Sequence, residues 1–143
     1  MRALAWAMGL ITAAAFAALA FAMLASESRI WVPAVATLIT LIAVQLAFMG
    51  GIQSGAALAR EPAGGMAAWA LLLGWVPALG GLAVFWLRTT GIQLACAIAL
   101  FLVTFAIDAW LVRREFLPRW FLPVRAVSTA VALAAAALGL WRA

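Results

Sequence analysis

An all-α integral membrane protein, a bundle of five transmembrane helices, follows from where this chain places its few charges. Charged residues are 9% of the 143 positions and hydrophobic residues 70%, with a mean hydropathy of +1.21, where a soluble domain carries roughly 25% charged residues. So few charges cannot cover a surface in water, whereas a bilayer accepts an apolar exterior. The same charges cut the chain into five long apolar runs, and Arg and Trp fall where alternating crossings of a bilayer would put them. A single domain over residues 1–143 is expected.

The first run, Ala3 to Ser26, lies between Arg2 and Glu27 and predicts a span over about residues 3–25. Arg2, the Ala-rich stretch and Ala18-Leu19-Ala20 have the outline of a secretory signal, but the segment is expected to stay as a helix of the bundle. Ile30 to Ala59, between Arg29 and Arg60, predicts a second span over about 30–54, and Pro62 to Leu87 a third over about 66–87. Each exceeds the roughly 20 residues that cross a ~30 Å hydrocarbon core. Thr89 to Val112 reaches that length only by including Asp108, giving a fourth span over about 92–112. The fifth run, Ala126 to Trp141, is the shortest; Arg125 and Arg142 flank it and can snorkel, and with Trp120 to Leu122 extending it the span is expected over about 122–141. Four spans plus an interfacial segment is the alternative.

Once the loops alternate sides, one side receives Arg2, Arg60, Arg113, Arg114, Arg119 and Arg125, the other only Arg29, Arg88 and Arg142. The richer side is expected to be cytoplasmic, with the N-terminus inside and the C-terminus outside. Trp6, Trp69, Trp110 and Trp120 then sit at inner ends and Trp31, Trp86 and Trp141 at outer ends, as two anchoring belts would, leaving Trp75 alone at mid-span.

Catalytic chemistry is poorly supplied. The sequence has no His, Tyr, Lys or Asn and a single Cys, Cys96; its four acids are Glu27, Glu61, Asp108 and Glu115, and all nine basic residues are Arg. Imidazole ligands, thiolate clusters and an imidazole base are excluded, so no cofactor, no metal and no enzyme activity are expected. The net charge of +5 reports topology rather than nucleic acid.

Some residues still stand out. Gly50, Gly51, Ser54 and Gly55 form two small-xxx-small pairs, Gly51 with Gly55 and Gly50 with Ser54, which predict close helix contact, either inside the chain or with a partner. Pro77, within Gly74-Trp75-Val76-Pro77, removes one backbone hydrogen bond from the third span and predicts a bend whose freed carbonyl could hold a ligand. Asp108 is the one acid inside a span; about one turn from Arg113 and Arg114, it reads either as a helix-end ion pair or as a relay that Thr104 could extend. Gln45, Gln53, Trp75, Pro77 and Asp108 are therefore the candidate ligand or relay set. The segment 113–125 holds Arg113, Arg114, Arg119 and Arg125 beside Trp120 and Phe121; with Pro118 and Pro123 interrupting it, it is expected to be an interfacial loop that docks lipid or a partner.

Taken together, Phe48-Met49-Gly50-Gly51-Ile52-Gln53-Ser54-Gly55, Pro77, Asp108 with Arg113-Arg114, and Leu117-Pro118-Arg119-Trp120-Phe121 running to Arg125 resemble the transmembrane protein sixty-nine family over nearly the whole chain. The resemblance implies a small five-span membrane protein of unknown function, in bacterial inner membranes with mitochondrial relatives, and no assigned catalytic residue. A His-Trp pair commonly fills the family positions held here by Gln53 and Ser54, so no imidazole role carries over. Tryptophan-rich sensory proteins, five-span binders of porphyrins and sterols, share only size and Trp content; their Trp- and Pro-rich loop after the first helix is missing here.

The leading expectation is a non-catalytic accessory or assembly subunit, with the lipid bilayer and a larger, energy-transducing inner-membrane complex as partners. The alternative is a small transporter or a binder of a lipophilic ligand such as a quinone, pigment or lipid. Polar residues near the midplane are too few for ordinary ion conduction.

Overall fold

A computed structural model of the protein describes residues 2–25, 28–59 and 64–143, with the backbone alone described at 28–30, 64 and 66. The expectations placed on Glu27, Arg60 and Glu61 lie outside the described residues. The chain forms five α-helices: α1 (Arg2–Ala25), α2 (Ser28–Leu58), α3 (Gly64–Trp86), α4 (Thr90–Arg113) and α5 (Phe121–Arg142). All five contain an apolar stretch long enough to cross a bilayer. A soluble bundle would hide its large apolar side chains; here Phe21, Trp69, Trp86 and Trp141 are all more than 60% exposed, which only a lipid surrounding tolerates.

Hairpin connections make consecutive helices antiparallel neighbours. α2 packs against all four others, most extensively against α3, and α5 closes the bundle between α1 and α4. Lipid supplies no hydrophobic drive between helices, so association rests on close backbone approach and dispersion. The α2–α3 seam shows this: a Cβ on Gly50 would strike the Gly74 carbonyl oxygen, and one on Gly81 would lie 3.0 Å from the Ala43 carbonyl oxygen. Glycine is required at such points because nothing larger fits between two backbones.

The interior has two apolar zones. One, towards the α3–α4 connection, contains Met23, Leu38, Ile42, Leu46, Leu94 and the edge-to-face pair Phe16–Phe101, whose ring centroids are 6.2 Å apart. The other, towards the α4–α5 connection, contains Ala57, Ala70, Ile107, Leu111 and Leu117. Along α2, α4 and α5 the buried polar residues Gln45, Gln53, Thr104, Asp108, Arg125, Ser128 and Thr129 fall between or beside these zones.

The ends are closed by specific contacts. Gln93 Nε2 lies 2.8, 3.2 and 3.4 Å from the carbonyl oxygens of Leu87, Val84 and Phe85, so its two N–H groups cap the end of α3 across the tight turn into α4. Arg142 donates to the Met23 carbonyl and ties the last turn of α5 to that of α1. After α4, Glu115 takes a left-handed conformation (φ 63°), with Phe116 N–H on Leu111 O (2.9 Å) and Glu115 N–H on Val112 O (3.1 Å). That is a Schellman stop, and it ends α4 where the sequence offers no glycine.

The structure alters one boundary in particular. The segment 113–125 is not a loop throughout: α5 begins at Phe121, and Pro123 sits in its first turn, where a missing N–H costs nothing. Arg125 thereby becomes a helical residue facing the bundle.

Candidate functional site

Asp108, Arg125 and Gln53 meet where α4, α5 and α2 converge. Arg125 donates from Nε to Asp108 Oδ2 at 2.8 Å, with the two side chains 3% and 1% exposed. Gln53 donates from Nε2 to Asp108 Oδ1 at 2.8 Å, and makes a longer 3.5 Å contact to the Thr104 carbonyl. Both carboxylate oxygens are thus held, one by a cation and one by an amide whose NH₂ must face them. All three residues lie four or five residues inside a helix end at the α4–α5 side of the bundle, roughly 6–8 Å along the axis.

The placement corrects two expectations. Asp108 pairs with Arg125 rather than with Arg113 or Arg114, which are exposed; five and six residues on, they lie on other faces of the helix end, while α5 brings a guanidinium into the interior. Arg125, expected to dock lipid or a partner from an interfacial loop, is 2% exposed and committed to the ion pair. The distance of Asp108 from the helix end is as the spacing to Arg113 implies; its neighbours are not readable from that spacing. Gln53 holds a position where the family resemblance leads one to expect histidine, and supplies an N–H donor to the carboxylate. Thr104 uses its hydroxyl on the Leu100 carbonyl of its own helix (2.7 Å).

The cluster is incompletely satisfied. Arg125 Nη1 and Nη2 and Gln53 Oε1 are buried without a hydrogen-bond partner, as is the Thr129 hydroxyl. Beside Arg125 runs a slot of about 130 Å³ between α1, α2 and α5, walled by Ala5, Met8, Phe48, Met49, Ile52, Phe121 and Val124, with Thr12, Gln45 and Ser128 as polar edges. Ser128 donates to the Arg125 carbonyl at 3.2 Å.

The remaining candidates do not gather into this site. Trp75 is 55% exposed on the outer surface of α3, so it does not line a cavity with Gln45 and Asp108. Pro77 is buried within α3, which runs through it from Gly64 to Trp86. The glycine run is split between two faces. Gly50 and Ser54 pack inward on α3, where a Cβ on Gly74 would strike Ser54 Oγ; Gly51 and Gly55 are exposed, and a Cβ at either would meet nothing within 4 Å. Of the basic segment, Arg113, Arg114 and Arg119 are exposed, while Trp120 and Phe121 are half-buried and stack edge-on at 6.5 Å.

Among the described residues no three His, Cys, Asp or Glu side chains gather to hold a metal. Sequence reasoning missed Gln93 as a helix cap, and missed the role of Arg125. A signal for the latter existed: Arg125, Ser128, Thr129, Ala132, Ala136 and Gly139 recur at helical spacing as the small and polar face of α5.

No curated protein and no solved structure matches this chain. A family model described as "Protein of unknown function (DUF3429)" matches residues 1–141. With nearly every residue covered, and with five apolar helices of spanning length around a buried ion pair, the chain belongs to the DUF3429 family and is a small multi-pass membrane protein.

Proposed function

We propose that this protein is a non-catalytic accessory or assembly subunit that packs, through the outward face of α2, against a transmembrane helix of a larger complex in a bacterial inner membrane. The observation that carries the reading is the exposure of Gly51 and Gly55 on the helix that packs against all four others. Ala47 and Ala59 are exposed one turn to either side, so four small residues follow one another at four-residue spacing with no intrachain neighbour over the glycines. Glycine in a helix interior costs roughly 0.5–1 kcal/mol relative to alanine, and a lipid-facing position gains nothing from it. A second helix does gain, because its backbone can approach closely. The exposed Arg113, Arg114 and Arg119 lie at the same end of the bundle as Gly55 and Ala59. By the arginine bias that end faces the cytoplasm, where the guanidinium groups meet acidic partner segments or anionic headgroups.

The test is isolation of the tagged chain from its native membrane in a mild detergent, followed by native mass measurement. The proposal expects a companion polypeptide in fixed ratio, released by Gly51→Leu with Gly55→Leu while the melting midpoint of the chain is unchanged. A chain that always runs alone, or only with copies of itself, overturns it.

A further inference from the structure

Between α3 and α4, on the outer surface of the bundle, lies a groove of about 340 Å³ walled by Leu73, Val103, Ala106, Ile107 and Trp110. Val103, Ile107, Trp110 and Arg114 follow one another at three- and four-residue spacing, so the face of α4 that carries the groove ends on a cation. The Arg114 guanidinium stands over the Trp110 ring, 6.0 Å from its centroid. Arg113, Arg114 and Arg119 are all exposed at this end, with Glu115 the exposed acid beside them. Among the described residues Arg125–Asp108 is the one ion pair, so these three guanidinium groups have no acid partner there.

Length and charge together select an occupant. From Val103 to Arg114 is roughly 16 Å along the axis, about half of a ~30 Å hydrocarbon core. The groove therefore spans one leaflet, from the midplane to the level of the headgroups. A partner helix needs small residues where backbones approach; here only Ala106 is small, and Leu73, Val103, Ile107 and Trp110 hold a second backbone away. An acyl chain lies along such a groove, but it exchanges one apolar surrounding for another, so discrimination falls to the headgroup. Unpaired arginines at that level attract a phosphate that carries a net charge, and the Trp110 face that would draw a choline ammonium already stands under a cation. We propose that the α3–α4 groove seats an acyl chain of an anionic diacyl phospholipid whose phosphate is held by Arg114, in the positive field that Arg113 and Arg119 reinforce. This site is separate from the Gly51–Gly55 face of α2, and stands or falls without the companion polypeptide.

The test titrates the purified full chain in a maltoside detergent with phosphatidylglycerol and with phosphatidylcholine of the same acyl chains, counting bound lipid by native mass spectrometry. Wild type is expected to bind one phosphatidylglycerol about fivefold or more tighter than phosphatidylcholine, the factor that corresponds to about 1 kcal/mol for an arginine near the surface. Arg114→Gln is expected to remove most of that preference. Ala106→Trp, a change at an exposed position that fills the groove, is expected to weaken phosphatidylglycerol binding about fivefold or more. Ala83→Trp, also exposed but at the opposite end of the α3–α4 seam beside Leu87 and Cys96, is expected to change nothing. Far-UV circular dichroism melts identify which variants are folded, and Arg114→Gln carries the test if Ala106→Trp is not. The proposal is overturned if phosphatidylcholine binds as tightly as phosphatidylglycerol, or if folded Arg114→Gln keeps the full preference. It is equally overturned if folded Ala106→Trp binds as wild type does, if Ala83→Trp weakens binding as much as Ala106→Trp, or if the groove holds a second copy of the chain, seen as a dimer that Ala106→Trp dissociates.

Discussion

Replacing Arg125 with methionine should destabilise the bundle by about 3–5 kcal/mol, because it strands the Asp108 carboxylate, 1% exposed, without a cation. Replacing Asp108 with leucine should cost a similar amount by stranding Arg125. The double variant removes both charges and fills the space with hydrocarbon, so it should be less destabilised than either single change. The expected coupling energy is therefore at least about 3 kcal/mol. Gln53→Leu, which removes the 2.8 Å hydrogen bond to Asp108 Oδ1, should cost about 1.5–3 kcal/mol, the range for a bond to a charged group. The assay is reversible unfolding in mixed dodecylsulfate–maltoside micelles, followed by far-UV circular dichroism for all members of the cycle. A coupling below about 0.5 kcal/mol, the value of a solvent-exposed pair, would mean that this contact is open to water or headgroups.

Bulk added against the α3-facing side of α2 and bulk added on its outward side should have opposite effects. Gly74→Ala drives a Cβ into Ser54 Oγ and to 2.9 Å from the Gly50 carbonyl oxygen, for an expected loss of about 1–3 kcal/mol, whereas Gly51→Ala meets nothing and should be neutral or gain up to about 1 kcal/mol; the same micelle titration compares them. Glu115→Gly should stabilise the chain by about 1 kcal/mol, since the left-handed backbone there is strained for any residue with a Cβ. Gln93→Leu should cost about 1 kcal/mol and raise hydrogen exchange at the Leu87 amide, because the last turn of α3 loses the side chain that caps its carbonyls.

How much of this was legible from residues alone depends on whether a feature is set along the chain or between helices. Five apolar runs between charges become five helices because a bilayer leaves the backbone no other way to satisfy its hydrogen bonds. For the same reason α2 continues through Gly50, Gly51 and Gly55 to Leu58, beyond the expected end near residue 54; in water those glycines would weaken the helix. Pro118 and Pro123 look alike as loop markers, yet only Pro123 falls in the first turn of a helix. That difference converts Arg125 from a loop cation into the partner of Asp108. The pairing itself was beyond sequence spacing, because it joins residues 108 and 125 across a turn that the left-handed Glu115 begins, and Asp108 is joined in turn to Gln53 on a third helix. The face of Gly51 and Gly55 was likewise open, since a four-residue repeat marks a stripe without saying whether its own chain covers it.

Cysteine cross-linking in the native membrane tests directly whether α2 presents a bare small-residue stripe to another protein. In a Cys96→Ala background, single cysteines at Ala47, Gly51, Gly55, Leu79 and Val103, all exposed, would be oxidised against cysteines placed along the helix of the companion identified by native mass. Bridges confined to positions 47, 51 and 55 are the predicted result. Bridges centred on Leu79 or Val103, with none along α2, would contradict it.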